Sequence, residues 1–350
     1  MLLKLTHTTD LSYSGLISES TMELRMAPRQ EQDQHRLSFT LGLGPAAAAV
    51  SYFDWLGNTV HAFTVNSFHK QIRIVATSVV ETNRPRADVQ ALPDTFPVRP
   101  TDCDYTAYDF LQFGGPVVDS PMLRSLVEEI RPKSGTTLGD LTERMLDLIN
   151  QRFTYRKGIT NAASPITDVL QHGSGVCQDF THVMIGMARA LGIPARYASG
   201  LLHPVARDGG AELPPPDTGD GAFRGFTQTH AWCELLFPST GWIGFDPANH
   251  CVVGDNFVKV AVGRHFFDVP PNKGVYRGKA RETIDVAVHS EELEEIPPEL
   301  AAERVQSLSI PTFAEGTTSH RELANQQQEH QQQQEWWPGS LHHQQEQQQQ

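Results

Sequence analysis

Apolar and polar positions change their spacing between residues 82 and 120. Up to residue 82 the apolar residues come in short runs of period two. In 71–80, Ile72, Ile74 and Ala76 alternate with Gln71, Arg73 and Val75, and 37–43 and 59–65 show the same alternation or β-branched enrichment. Gly42-Leu43-Gly44-Pro45 and Leu56-Gly57-Asn58 break the runs. This pattern predicts a small antiparallel β domain over 1–82. Residues 83–119 open with Pro85, Pro93, Pro97 and Pro100 and have no clear period, which reads as a linker or an extended wrap.

From residue 120 the period becomes helical. Ser120-Pro121 has the form of an N-cap followed by proline in the first turn, Met122, Leu123, Leu126, Val127 and Ile130 share a face, and Pro132 stops the run. A second helix follows Thr136 or Thr137, with Leu141, Met145, Leu148 and Ile149 inward. A shorter one starts at Ser164-Pro165. The fourth, over 177–191, follows Gly173-Ser174-Gly175 and ends at Gly192 and Pro194. A strand over 195–202 and a hairpin of 230–237 with 242–246 come next, separated from each other by a Gly-, Pro- and Asp-rich surface loop at 207–225. The expected class is therefore α+β: an antiparallel β domain at 1–82, a linker at 83–119, and a core of helices packed on an antiparallel sheet at 120–285. Residues 286–350 turn acidic and then Gln-rich, a composition that buries too little apolar surface to order itself, so this tail is expected to be largely disordered. Trp336-Trp337-Pro338 within it is a candidate docking motif.

Composition narrows the function classes. The 350 residues carry a formal charge of −13, so nucleic acid and anionic membrane are disfavoured as partners by bulk charge. The opening MLLKLTHTTD is too short an apolar stretch for a signal peptide, and no stretch approaches a membrane span, which together predict a soluble cytoplasmic protein. None of Cys103, Cys177, Cys233 and Cys251 falls in a C-x-x-C pair, which argues against a structural zinc site; without a secretory signal a disulfide framework is not expected either.

Cys177 is the thiol placed for chemistry. It opens a helix, where unpaired amides and the helix dipole favour the thiolate that attacks a carbonyl, and where the same amides can hold an oxyanion. In the hairpin, Ala231, Cys233, Leu235 and Phe237 form one apolar face and Ile243 and Phe245 its match. Pairing these faces puts His230 and Asp246 together on the opposite face; one such register sets Asp246 opposite Trp232, a diagonal step from His230. An aspartate there can hold one imidazole nitrogen and leave the other for the thiol. Gln178 is a candidate donor near the oxyanion, and Trp232 and Trp242 are candidate cleft walls. Asp179, in the first turn, suits a dipole-complementing role. His182 reads as a spectator, Cys233 as core, and Arg196 and Tyr197 as support for the strand beside the cleft.

The segments Gly175-Val176-Cys177-Gln178-Asp179-Phe180-Thr181-His182, Gly192-Ile193-Pro194-Ala195-Arg196-Tyr197-Ala198-Ser199-Gly200, His230-Ala231-Trp232 and Gly241-Trp242-Ile243-Gly244-Phe245-Asp246-Pro247 resemble the transglutaminase-like superfamily, in particular its bacterial branch with an N-terminal β domain. Tyr13, Glu23-Leu24-Arg25-Met26-Ala27-Pro28-Arg29 and Asp54-Trp55-Leu56-Gly57-Asn58 resemble that domain. The resemblance covers roughly residues 1–275. It implies a papain-like core whose triad matches Cys177, His230 and Asp246, acting on a peptide or protein substrate with no cofactor and no metal. The triad serves hydrolysis of peptide or isopeptide bonds, the favoured reading, and transglutamination equally, because both pass through an acyl-enzyme. A non-catalytic binding module that keeps the fold is the third reading, and the intact triad argues against it. The 207–225 insert is placed to line or cover the cleft. Oligomeric state is not readable from the sequence.

Overall fold

The computed structural model describes residues 1–205, 228–296, 298, 304–310 and 312. Strands β1 (Leu2–Ile17), β2 (Glu19–Leu24), β3 (Gln34–Gly44), β4 (Ala49–Phe53), β5 (Thr59–Val65) and β6 (His69–Thr82) come first. In β1 the alternation is strict: Leu3, Leu5, Leu11 and Tyr13 are buried. The wrap that follows is pinned to the core. Leu138 N donates to Asp94 O, and the Asp94 carboxylate accepts from both Ser239 N and Ser239 Oγ.

The core contains α1 (Pro121–Ile130), α2 (Leu138–Arg152), β7 (Thr154–Tyr155), α3 (Ile166–His172), β8 (Ser174–Gly175), α4 (Cys177–Ala190), β9 (Ala195–Leu202), β10 (His230–Phe237), β11 (Gly241–Asp246), β12 (Cys251–Val252) and β13 (Phe257–Gly263). The capping residues read from the sequence act as such: Ser120 Oγ accepts from Leu123 N and Thr137 Oγ1 from Asp140 N. Among the described residues β9 to β13 form one antiparallel sheet in the order β12-β11-β10-β9-β13. α4 lies on β10 and β9, its Met184, Met187 and Ala188 sharing a core with Ala231, Cys233 and Leu235. The fold is thus mixed α+β, with an N-terminal antiparallel domain and a core of helices packed on an antiparallel sheet.

Beyond the core the chain returns to the first domain. β14 (Asn272–Arg277) pairs with β2, β15 (Glu282–Glu292) with β1, and β16 (Arg304–Ser307) runs parallel to β3. The N-terminal unit is therefore two stacked sheets, β15-β1-β6-β3-β16 and β14-β2-β5-β4. This corrects the expected boundaries: residues 272–285 do not belong to the core, and 286–292 and 304–307 are strand rather than disordered tail. In β15 the period-two alternation of Ile284, Val286 and Val288 is the signal that the acidic composition outweighed. The 207–225 insert and Trp336-Trp337-Pro338 lie outside the described residues. No helix among the described residues is long and apolar enough to cross a membrane.

The two units meet over a small apolar cluster in which Leu3, Leu5, Val80 and Val288 of the first touch Leu201, Val258 and Val260 of the second. Beside it Glu234, on β10, is buried between Arg196 Nε and Lys259 Nζ, each at 2.6 Å.

Candidate active site

The start of α4 is built by local sequence. Ser174–Gly175 pairs in parallel with Thr154–Tyr155, and Val176, in extended conformation, is the N-cap. Val176 has no side-chain acceptor, so the helix is capped from the other direction. The Asp179 carboxylate turns back and accepts from Val176 N at 2.7 Å and from Thr160 Oγ1 at 2.6 Å. A Cβ on Gly175 would stand 2.7 Å from the Asp179 side chain, so the close return of this carboxylate needs glycine there. Burial raises the Asp179 pKa, against the two hydrogen bonds. Cys177 is the first helical residue and is partly exposed. Its N–H and that of Gln178 lie ahead of the helical hydrogen-bond ladder.

The opposing pair comes from the hairpin. Cys233 stands opposite Phe245, one of the registers that match the two apolar faces, and this brings Asp246 level with Trp232. His230 opens β10 and Asp246 closes β11, and His230 Nε2 donates to Asp246 Oδ2 at 2.7 Å with both side chains fully buried. A tight turn holds the carboxylate in turn. Asp246 Oδ1 accepts from Ala248 N at 2.9 Å and Asn249 N at 3.2 Å, and Asn249 Nδ2 donates to Oδ2 at 2.6 Å. Burial alone would lower the His230 pKa, but the charges of Asp246 and Cys177 and the hydrogen-bonding approach of both to the ring raise it to about 10. The second nitrogen, Nδ1, is buried without a hydrogen bond of normal geometry. The Cys177 sulfur is close enough to favour the charged ring, through its charge first and through a hydrogen-bonding approach to the ring second.

The structure thus brings Cys177, His230 and Asp246 together, keeps Trp232 beside the imidazole, and sends Gln178 and Trp242 elsewhere. Gln178 Nε2 donates to Ala162 O at 3.1 Å, which turns the side-chain amide onto the loop before α3 and away from an oxyanion. Trp232 is wholly buried among Ala198, Val253, Phe257 and Val262, under Gly200 and Gly244, so it is no wall that substrate could touch; its ring instead backs the His230 imidazole, centroid to centroid 6.4 Å. Trp242 pairs with Leu236, six residues along β10 from His230 and so about 20 Å away at strand rise. It instead packs edge-on against Phe110 and under the Arg196 guanidinium. Shared β10–β11 membership misled here: strand pairing puts residues on one sheet, and their distance along it decides whether they share a site. His182 Nε2 accepts from Phe266 N at 3.1 Å, and burial pushes its pKa down to about 3, in keeping with a structural part. Cys233 is fully buried, and burial raises its thiol pKa.

Thr160 and Asn249 were missed. Thr160 carries no sequence signal. Asn249 had one, because Asp246-Pro247-Ala248-Asn249 reads as a turn in which the aspartate accepts from the amides two and three residues on. Among the described residues no group of three or more His, Cys, Asp or Glu side chains is placed to hold a metal ion.

The sequence profile of the Transglutaminase-like superfamily matches residues 124–247, a span that includes all three converging residues. That of the Bacterial transglutaminase-like N-terminal region matches residues 3–81. An uncharacterized protein of Mycobacterium tuberculosis is 31% identical over 299 residues, covering 81% of this chain and 91% of that protein. The chain belongs to the transglutaminase-like superfamily. A Pseudomonas aeruginosa protein named protein-glutamine gamma-glutamyltransferase is 28% identical over 134 residues, 38% of this chain and 19% of that one. Among solved structures, a "Putative Cysteine Protease" from Cytophaga hutchinsonii superposes with a TM-score of 0.66 at 23% identity over 85% of this chain and 93% of that one, a likeness of fold.

Proposed function

We propose that the protein is a thiol enzyme that hydrolyses peptide or isopeptide amide bonds through Cys177, His230 and Asp246. The observation that carries the reading is a fully buried imidazole held by Asp246 at 2.7 Å, with its other nitrogen unbonded beside a partly exposed thiol at a helix start. In the proposed reaction the Cys177 thiolate adds to the substrate carbonyl, and the first-turn N–H groups of Cys177 and Gln178 receive the oxyanion. As the C–N bond breaks, the proton on His230 Nδ1 passes to the leaving nitrogen. Water then adds to the thioester, gives its proton back to Nδ1, and the carboxylate leaves as the C–S bond breaks. Asp246 keeps the imidazole oriented and its charged form stable throughout.

Transglutamination is the second reading, favoured by the likeness to the Pseudomonas aeruginosa protein. It differs only in the second step, where an amine takes the place of water. Incubation with glutamine-containing and isopeptide-linked peptides, with and without a primary amine, separates the two. Hydrolysis leaves a free carboxylate whether or not amine is present. Amine incorporation at the expense of carboxylate would replace the first reading with the second.

A further inference from the structure

β13 is the edge of the core sheet, and an edge strand leaves main-chain N–H and C=O groups unpaired. Here two side-chain amides of the N-terminal sandwich complete it. Gln34 Oε1 accepts from Lys259 N at 2.7 Å while Gln34 Nε2 donates to Lys259 O at 2.8 Å. Asn58 repeats the arrangement on Val262, with Oδ1 accepting from the N–H at 2.8 Å and Nδ2 donating to the carbonyl at 2.9 Å. Both amide side chains are 0% exposed. Arg29 ties the two clamps together: its N–H donates to Lys259 O at 3.0 Å and its Nη1 to Asn58 Oδ1 at 2.6 Å. The two sequence signatures of the first domain that the acyl-transfer reading leaves unused, at 23–29 and 54–58, converge on this edge.

The clamps stand on either side of a β-bulge. Lys259 lies opposite Gly200 and Ala261 opposite Ser199, so Val260 has no partner on β9. An unclamped bulge can migrate, and each step toward Phe257 would change the β9 partner of the residue it passes, Lys259 first. The row that starts at the Gln34 clamp continues across the sheet: Lys259 faces Gly200, and Gly200 faces His230. The row has little slack, because any Cβ on Gly200 would run into the Val258 carbonyl and the Trp232 ring. The Lys259 side chain adds a second tie, with Nζ at 2.6 Å from both Glu31 of the sandwich and Glu234, four residues after His230.

We propose that Gln34, with Asn58, is a positioning residue for His230: the sandwich locks the bulge at Val260 and so fixes the cross-strand row on which the imidazole stands. The sandwich is then a working part of the site and not an appended module. The inference rests on the acyl-transfer reading only for its effect on turnover; the effect on the His230 ring needs no substrate.

The test compares Gln34→Met, which keeps the volume and loses both hydrogen bonds, with Leu43→Ala, which cuts into the sandwich's own core. Should the Met variant not fold, Gln34→Glu, which keeps the acceptor for Lys259 N–H, is compared in its place. Gln34→Met is expected to move the His230 imidazole nitrogen resonances in labelled full-length protein and to lower kcat about tenfold to a hundredfold with KM within about twofold. Leu43→Ala is expected to lower the melting temperature and leave the resonances and kcat of the folded protein alone. If the Gln34 variant matches Leu43→Ala, losing stability while the ring signals stay in place, the proposal is overturned. Absence of turnover in the parent protein would refute the hydrolytic reading, while the ring signals would still decide the clamp.

Discussion

The two sides of the candidate site are held by different means. Cys177 is partly exposed and rests on short-range structure: a two-residue strand pair, the returning Asp179 carboxylate and the Thr160 hydroxyl. His230 and Asp246 are wholly buried on a sheet whose edge is finished by another domain. In the proposed reaction the Cys177 thiol has to be reached by substrate, which suits local support and an open side chain. An ion-stabilising pair gains strength from exclusion of water, so it sits deep, where a carboxylate in poor dielectric surroundings acts strongly on the imidazole. The contrast teaches that the thiol side should be fragile in function and robust in stability, and the carboxylate side fragile in both.

Substitution at Cys177 and Asp246 probes this contrast hardest. Cys177→Ala is expected to lower kcat by about 10⁴-fold or more and to change the unfolding free energy by less than about 1 kcal/mol. Asp246→Ala should lower kcat comparably and also destabilise the fold by about 3–5 kcal/mol, because it leaves the buried His230 without its counter-charge. Equal destabilisation by the two variants, measured by urea unfolding, would erase the contrast. Next in size is Asn249→Ala, which removes one of the donors to Asp246 Oδ2 and should lower kcat about 10- to 100-fold. Full activity in that variant would show that the main-chain amides alone hold the carboxylate.

The pH dependence sharpens the same comparison. His230 is raised from 6.5 to about 10 in the folded protein. Its charged form therefore stabilises the fold fully below about 6.5, and that contribution is lost as pH rises through about 10. The alkaline limb of kcat/KM is expected near pH 10, and Asp246→Asn, which removes the leading favourable charge, should move it to lower pH. An alkaline limb that stays in place in that variant would disconnect it from the imidazole. The smallest effect is expected from Gln178→Ala, whose amide faces Ala162 O: kcat within about threefold of the parent. A larger loss would return Gln178 to the oxyanion.

Much of this arrangement is legible in the sequence because local rules and tertiary context agree. Ser120 and Thr137, the latter one of two candidates, mark helix starts as their chemistry requires, and the alternation of Cys233, Leu235, Ile243 and Phe245 narrows the hairpin to registers that put His230 and Asp246 on one face, of which the structure takes one. Where they disagree the sequence reading fails. β15 carries the alternation of Ile284, Val286 and Val288 within an acidic stretch, and it is the pairing with β1 that gives this short signal its weight over composition. Gln34 and Asn58 are polar residues of a kind usual on surfaces; their burial on the core sheet depends on domain packing that no local pattern encodes. Trp242 neighbours the correct residues in sequence, and strand length carries it away from the cleft, while Trp232 stays on the His230 face but is buried behind the ring.

The most direct test is to trap the acyl-enzyme. The full-length protein is mixed with a library of peptide amides, quenched in acid and digested, and the digest is searched by mass spectrometry for an acyl group. The account predicts that group on the peptide containing Cys177, with no adduct and no turnover in Cys177→Ala. An adduct on another residue, or equal turnover of the same peptide by Cys177→Ala, would contradict it.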